Sequence, residues 1–409
     1  MRLALNFERV DPSRGGAETY VRDLATRLVQ SGHEVSLYAN AWVPGALPAA
    51  VNCRRIEARG LTRLQRIWSF ARNSEAALKG EHHDCTIGFI NTWFHDVIIP
   101  QGGLHAASLE CNARRFPSGW RREVYRLAKR ANPKYRLYQA IERRQYDPER
   151  PVRVVAVSQM VQGHIERFHG VPREGIQVIP NAIDASRLSV ADPLATRAGF
   201  RKQHGLRDED LVALFVGHNF WLKGLKPLLE ALCERQRRHS VARPIHLLVC
   251  GGGRVEPFHR MVRSLGLEAT VRLIGFLPDV RAGFWASDFF VLPTYYDPCS
   301  LVVFEALACG LPVITTAYNG AGELITEGRE GFVISAPDAR EELIASVDRM
   351  ADDTARRAMS AHAEQLGRAQ SFDTHMARLV KLFEEVAGAK ATRGPHRTRS
   401  APEPHRAVS

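Results

Sequence analysis

The fold is decided by the stretch Asp297-Pro-Cys-Ser-Leu-Val-Val-Phe-Glu305-Ala-Leu-Ala-Cys-Gly310 and by the apolar runs on either side of it. The runs at 289–292 and 311–316 are typical of buried strands, and residues 301–308 give an apolar helical surface. Gly310 fits the position just beyond a helix C-terminus. The order strand, loop, helix, strand predicts a βαβ unit in a parallel sheet. The loop that carries Asp297 would lie at the carboxyl end of a strand, where open α/β sheets bind ligands.

The same alternation of strands and helices occurs twice along the chain. It begins with a strand at 2–7, a turn containing Gly15 and Gly16, and a helix to about Gln30, and it restarts at Leu211. An α/β fold of two Rossmann-like lobes with parallel sheets facing a cleft is the simplest architecture. We predict an N-terminal lobe over 1–184, with a polar linker from 184 to about 207, and a C-terminal lobe over 185–370. A closing helix over 371–387 and a disordered basic tail over 388–409 complete the prediction.

Composition indicates an ordinary globular protein. Its 409 residues are 45% hydrophobic and 24% charged, and nowhere do 18 apolar residues run together. Seven scattered cysteines without a Cys-x-x-Cys pair favour reduced thiols and a cytosolic location.

The net charge of +12 implies an anionic partner. Between Arg114 and Arg150 twelve Lys and Arg residues face four Asp and Glu residues, with Trp, Tyr and Leu interleaved. This pattern predicts amphipathic helices that bind an anionic membrane surface. A solvated helical face is the simpler alternative, and a nucleic-acid-binding surface is a third.

Three segments together resemble the retaining GT-B glycosyltransferases of family 4. They are the run 297–310, the loop Val216-Gly-His-Asn-Phe-Trp-Leu-Lys223-Gly224, and Ile179-Pro-Asn-Ala-Ile-Asp184. The spacing of the 217–224 loop and the basic region after residue 105 look like the lipopolysaccharide core glucosyltransferases. The resemblance covers roughly residues 1–386 and implies a GT-B fold whose C-terminal helix crosses back to the first lobe.

The resemblance implies a role for each donor-site residue. Asp297 would contact hydroxyls of the donor sugar and Glu305 the nucleotide ribose, and carboxylates suit hydroxyl donors. Asp297 stands where the family usually has Glu. The backbone N–H groups of Cys299, Ser300 and Leu301 at a helix N-terminus would bind the diphosphate, assisted by Lys223. Gly217 and His218 belong to the same donor site, where His218 either carries a pH-dependent charge or caps the loop.

We expect no metal ion and no cofactor, because Lys223 and the helix N-terminus neutralise the leaving diphosphate. Asp208-Glu-Asp210 is an Asp-x-Asp sequence, but it lies in a polar turn before a strand. The cluster His82-His-Asp84 is more typical of a surface loop than of a metal site.

The first lobe offers weaker signals. Gly15 and Gly16 either let the backbone approach the donor or acceptor, or simply form a tight turn. His105 is the candidate active-site histidine in preference to His95, and Asp96 is an alternative that would orient an acceptor hydroxyl. No carboxylate in this half suggests a general base, and in the family the leaving diphosphate oxygen is thought to accept the acceptor proton.

The sequence thus predicts a retaining, metal-independent hexosyltransferase that moves glucose from UDP-glucose to a lipid-linked glycan such as a lipopolysaccharide core heptose. It would be cytoplasmic and peripheral on the inner face of the cytoplasmic membrane. A GDP-mannose or other donor with a different acceptor is the alternative within the family. A binding protein without turnover, for a nucleotide sugar or for nucleic acid, is the alternative outside it.

Overall fold

The computed structural model describes residues 1–150, 152–238 and 243–393. Its first lobe contains a parallel seven-stranded sheet of order β5-β3-β1-β6-β7-β8-β9, beside a short parallel pair, β2 and β4. The strands are β1 Arg2–Asn6, β2 Arg9–Val10, β3 Glu34–Ala39, β4 Ala41–Trp42, β5 Asn52–Arg55, β6 Cys85–Gly88, β7 Val97–Ile98, β8 Arg153–Ala156 and β9 Ile176–Val178.

The second lobe contains a parallel six-stranded sheet of order β12-β11-β10-β13-β14-β15. Its strands are β10 Leu211–Val216, β11 Ile245–Cys250, β12 Val271–Gly275, β13 Phe289–Leu292, β14 Val313–Thr316 and β15 Gly331–Ile334. The strand order reverses between β1 and β6 in the first lobe and between β10 and β13 in the second. The crevices at these reversals are where doubly wound sheets bind ligands. The predicted fold class, two Rossmann-like lobes with parallel sheets, is therefore confirmed.

Helices connect the strands in both lobes, and most of them bury one apolar face against a sheet. They are α1 Gly16–Gln30, α2 Arg63–Lys79, α3 His105–Ala113, α4 Gly119–Ala131, α5 Pro133–Gln145, α6 Gln159–His169, α7 Pro193–Gln203, α8 Leu225–Arg238, α9 Glu256–Ser264, α10 Arg281–Ala286, α11 Leu301–Ala308, α12 Arg340–Ala351, α13 Asp353–Ala369 and α14 Phe372–Arg393.

Two boundary predictions need correction. The polar stretch predicted to be a linker contains α7, which Asp192 caps by accepting from the Ala195 N–H at 2.9 Å. The buried Arg201 of α7 pairs with Asp288 of the second lobe at 2.9 Å, so this stretch packs on the lobe that follows. Residues 388–393 of the tail predicted to be disordered belong instead to α14, which continues to Arg393. Residues 394–409 of that prediction lie outside the described residues.

Helix α14 crosses back to the first lobe, as predicted. Its His375 bonds Tyr20 of α1 through Nε2 at 2.8 Å, and Lys390 pairs with Asp96 at 2.9 Å. Within the described ranges, no helix combines the length and apolar character needed to cross a membrane.

Buried hydrogen bonds join the two lobes beside the cleft. The Gln101 side chain donates to Asn181 Oδ1 at 2.9 Å, and Asn181 Nδ2 donates to the Cys299 carbonyl at 2.9 Å. The N–H of Leu104 donates to the Tyr296 hydroxyl at 3.0 Å. These bonds hold the loop that carries Asp297 against the start of α3.

Candidate active site

The loops after β10 and β13 bring two charged side chains together at the strand-order reversal of the second lobe. Lys223 precedes Gly224, whose φ of 82° and close approach to the Pro293 carbonyl leave no room for a side chain. This turn directs the Lys223 ammonium onto the carboxylate of Asp297, and the two form an ion pair. Both side chains are largely buried, so neither charge is fully solvated. The two charged groups predicted for the donor site, Lys223 and Asp297, are therefore in direct contact.

The backbone fixes the position of Asp297. Its N–H donates to the Tyr318 carbonyl at 2.9 Å, and its own carbonyl accepts from the Gly320 N–H at 2.9 Å. Because both backbone groups are satisfied, the loop is held at the end of β13 and the carboxylate has a defined direction.

The N-terminus of α11 lies next to the glycine turn of the first lobe. A Cβ on Gly16 would lie 3.3 Å from Leu301 Cδ1, whereas the nearest atom to a Cβ on Gly15 would be Glu18 Oε2 at 3.6 Å. Gly16 is thus where the first lobe approaches the predicted diphosphate site. The Ser300 N–H donates to Asn319 Oδ1 across a long 3.3 Å, and the Cys299 carbonyl is occupied by Asn181. Of the three predicted amides, the N–H groups of Cys299 and Leu301 have no hydrogen-bond partner among the described residues.

Glu305 follows Leu301 by one helical turn and is half-buried. Burial, together with the nearby Asp23 carboxylate, raises its pKa to about 7. In the described part of the chain no hydrogen-bond donor reaches its carboxylate. A carboxylate that is enclosed yet unpaired is suited to accept hydroxyl donors from a ligand.

Gly217 and His218 form the rim of the same crevice. The Gly217 N–H donates to the Cys250 carbonyl at 3.0 Å, and Gly251, with φ of 141°, packs directly on the Gly217 carbonyl. The centroids of the His218 and Phe276 rings lie 6.5 Å apart, with 29° between the ring planes. The glycines after β11 therefore form a tight turn that supports the donor loop.

His105 begins α3, directly after Leu104, whose N–H donates to the Tyr296 hydroxyl of the second lobe. Its ring stacks on Tyr138 at 4.5 Å, and burial with the nearby Lys134 lowers its pKa to about 4. The imidazole is therefore neutral at physiological pH and can accept or donate one hydrogen bond. His105 lies two residues from Gly103, which contacts Tyr296, the neighbour of Asp297.

The two alternatives to His105 differ: neither ring nitrogen of His95 has a hydrogen-bond partner among the described residues, whereas Asp96 is engaged by other parts of the fold. His95 is buried against Gly88, and burial lowers its pKa to about 4. Asp96 accepts from the Thr86 N–H and hydroxyl, both at 2.8 Å, and pairs with Lys390. Asp96 thus joins β6 to α14 and is not free to orient an acceptor hydroxyl.

The acidic and histidine clusters outside the cleft are also engaged. Asp210 accepts from the backbone and guanidinium of Arg207 at 2.8 Å, and His83 bonds the Tyr38 hydroxyl at 2.8 Å. Both are accounted for by local structure.

Two protein families match the chain and between them cover most of it. Residues 14–187 match Glycosyltransferase Family 4, and residues 196–366 match Glycosyl transferases group 1. The chain belongs to these glycosyltransferases. It is 25% identical to the lipopolysaccharide glucosyltransferase WaaG of Escherichia coli K12 over 331 residues, which are 80% of this chain and 84% of that protein.

Solved structures show the same fold. The crystal structure of WaaG, a glycosyltransferase involved in lipopolysaccharide biosynthesis, superimposes with a TM-score of 0.75 at 23% identity, covering 95% of this chain and 99% of WaaG. HepE of Anabaena in complex with UDP and glucose has a TM-score of 0.68 at 18% identity, covering 94% and 99%. The GT-B architecture is therefore confirmed for this glycosyltransferase.

Glu142 is a buried carboxylate beside the cleft that the sequence did not single out. Glu142 of α5 accepts from the His105 N–H at 2.7 Å, and its burial, partly offset by this bond, raises its pKa to about 7. Glu142 thus fixes the start of α3, and α5 also supplies Tyr138. The only sequence signal was an isolated acid within a strongly basic segment.

Proposed function

We propose that this glycosyltransferase transfers glucose from UDP-glucose, with retention of the anomeric configuration, to a sugar hydroxyl of a lipid-linked glycan such as a lipopolysaccharide core heptose. The observation that carries the proposal is the convergence of Lys223, Asp297 and Glu305 at the strand-order reversal of the second lobe, opposite Gly16. The similarity to WaaG supports the acceptor class. HepE, which binds UDP and glucose with the same fold, supports the donor.

Each donor group has a matching partner in the crevice. The diphosphate would accept from the Leu301 N–H and from Lys223, at the positive end of the α11 dipole. Asp297 would accept from hydroxyls of the glucose, and Glu305 from the ribose. Lys223 and Asp297 neutralise each other without ligand. When the donor binds, Lys223 would exchange Asp297 for the diphosphate, and Asp297 would exchange Lys223 for sugar hydroxyls. Neither charge would then be buried without a partner.

The reaction breaks the bond between the anomeric carbon and the diphosphate oxygen and forms a bond to the acceptor oxygen. The acceptor proton passes to the leaving diphosphate oxygen, so no protein base is required. Lys223 and the α11 N-terminus stabilise the charge that develops on that oxygen. Because these groups supply positive charge, we propose that turnover requires no metal ion or cofactor.

The acceptor would be presented at an anionic membrane, on the cytoplasmic side. On α4 the large apolar side chains Trp120, Val124 and Leu127 are 66%, 55% and 57% exposed, and all lie on one helical face. Cations flank them along the segment 114–150. An apolar face bordered by Lys and Arg suits the interfacial region of anionic bilayers better than it suits nucleic acid, which requires no apolar face.

The test is UDP release from UDP-glucose with and without purified core oligosaccharide acceptor, in buffer containing EDTA. We expect UDP release that depends on the acceptor, and a product with the same anomeric configuration as the donor, which the NMR coupling constant of its anomeric proton identifies.

Glu305→Ala should weaken UDP binding about 10- to 100-fold, since it removes charge-assisted hydrogen bonds. The exposed Glu327→Ala is the matched control. Release that required a divalent cation, or an inverted product, would contradict the mechanism, and binding without turnover would favour a binding protein.

A further inference from the structure

Two polar side chains of the first lobe, neither of them among the predicted donor-site residues, meet at its strand-order reversal. Glu8 lies two residues beyond the end of β1, and Asn91 lies three residues beyond the end of β6. β1 and β6 are hydrogen-bonded neighbours. Their carboxyl ends open onto the crevice of the first lobe, which corresponds to the donor crevice of the second.

Asn91 has an unusual backbone conformation. Across residues 1–150, 152–238 and 243–393, it is the only residue other than glycine with a positive φ, at 62°. In this conformation its side-chain amide donates to Glu8 Oε2 at 3.0 Å. Left-handed backbone at a non-glycine residue costs energy and is concentrated at binding and active sites.

The Glu8 carboxylate is positioned but not neutralised. Its backbone carbonyl accepts from the Asn40 N–H at 2.9 Å, which ties the loop to the end of β3. The side chain is half-buried, and no cation pairs with it in the described parts of the chain. Asn91 engages one carboxylate oxygen, so Oε1 remains available for a hydroxyl donor.

His105 and Tyr138 border the same crevice. The pKa of the Tyr138 hydroxyl is raised chiefly by burial, with opposite contributions from the Arg63 cation, which lowers it, and the Glu8 carboxylate, which raises it. Glu8 therefore lies within electrostatic range of Tyr138, on which His105 stacks. A carboxylate, an amide and an aromatic ring are the groups that bind sugar hydroxyls and sugar faces.

We propose that Glu8 and Asn91 form the hydroxyl-binding subsite for the acceptor sugar, with Glu8 Oε1 accepting from one or two neighbouring hydroxyls and the Tyr138–His105 stack bordering the ring. The proposal rests on the proposed transferase function and extends it, because it names residues that select the acceptor. Its ligand class is a neutral polyhydroxylated sugar, in contrast to the anionic diphosphate of the donor crevice.

The test is saturation-transfer NMR on the full chain in the presence of excess UDP. It measures binding of each member of a panel of methyl glycosides of hexoses and heptoses. We expect at least one glycoside to bind the wild type. Glu8→Gln should weaken it about 10-fold or more, the effect of losing a charged hydrogen bond. Asn91→Gly should weaken it similarly, and glycine keeps the positive φ free of strain. Glu34→Gln, at an exposed acid that begins β3 and so lies at the amino end of the strands, away from the crevice, is the matched control.

UDP affinity measured in the same samples separates this inference from the proposed function. Retained UDP affinity with lost glycoside binding in both variants would support the subsite. A wild type that binds no glycoside, or variants that bind it as the wild type does, would overturn the subsite and leave donor binding intact. Failure of the wild type to bind UDP would instead contradict the donor assignment.

Discussion

The charge on Glu305 depends on pH within the physiological range. Its pKa rises from 4.5 to about 7 in the folded protein because the carboxyl is buried near Asp23. Between these two values the folded state holds a proton that the unfolded chain has released. Raising the pH through this window therefore lowers the free energy of unfolding. The ribose hydroxyls of a bound nucleotide would donate to the ionised carboxylate, so they should restore part of the stability lost as the pH rises.

We expect the affinity for UDP-glucose to increase as pH rises from 6 to 8. Charge-assisted hydrogen bonds favour ionised Glu305, so below its pKa the carboxyl must release a proton when the nucleotide binds. In that range the affinity should fall by up to about tenfold for each pH unit that the pH is lowered. Calorimetric titration across this range measures the slope, and Glu305→Gln should flatten it. Glu327→Gln is the control and should keep the slope. A wild-type affinity independent of pH would show that Glu305 does not contact the nucleotide in its ionised form.

The sequence indicated the candidate donor residues, including Lys223, which is 74 positions from Asp297, but not the contacts within the first lobe. Asp297 and Glu305 lie on one loop and the helix that follows it, and their spacing, combined with the 217–224 loop and the 179–184 turn, indicated both. The Glu142 bond to His105 spans 37 positions and the Asn91 bond to Glu8 spans 83. Such pairs are set by strand order and helix packing, which a single sequence does not reveal.

Among the elements, α4 is the clearest candidate for a function of its own. None of its side chains is buried, although Trp120, Val124 and Leu127 would ordinarily pack against a core. A helix in globular proteins gains most of its stability from a buried face. The membrane surface proposed above would supply that missing contact.

We expect the triple substitution Trp120→Ser, Val124→Ser and Leu127→Ser to abolish most binding to vesicles that contain anionic phospholipid. Losing burial of three large side chains should lower partitioning by at least about tenfold. Cosedimentation measures it, with UDP affinity as the check on folding. Leu194→Ser, at a residue 79% exposed in the second lobe, is the matched control. If the triple variant bound vesicles as the wild type does, α4 would instead be a solvated helix that makes no contact with the membrane.

The misplaced element boundaries also have physical causes. Helix α7 has a recognisable start signal, Asp192-Pro193, but its polar interior favours a linker. In the structure Arg201 is nevertheless buried, because backbone carbonyls and Asp288 satisfy its guanidinium. The polar, basic and Pro-rich composition beyond Ala387 predicts disorder, whereas α14 continues to Arg393. Lys390 bonds the His83 carbonyl at 3.1 Å as well as Asp96, and these tertiary contacts accompany the extra turns of helix.

At the scale of the whole molecule, α14 fastens the second lobe to the first through His375. Its Nδ1 lies 2.9 Å from the Pro180 carbonyl, which only accepts, so Nδ1 carries the proton and Nε2 accepts from the Tyr20 hydroxyl. The bridge thus requires a neutral ring. Burial supplies this condition by lowering the pKa of His375 to about 4.

We expect His375→Ala to lower the melting temperature at pH 7.5 by several degrees, since it removes a buried ring and two hydrogen bonds worth about 2–4 kcal/mol together. Between pH 6.5 and 4 the unfolded chain binds a proton that folded His375 does not, so acid destabilises the wild type in this window. The variant should lose that part of the pH dependence. The exposed His362→Ala, compared at pH 5 and 7.5 by scanning calorimetry, should melt as the wild type does. If His375→Ala melted like that control at both pH values, the bridge to Tyr20 and Pro180 would have no part in holding the lobes together.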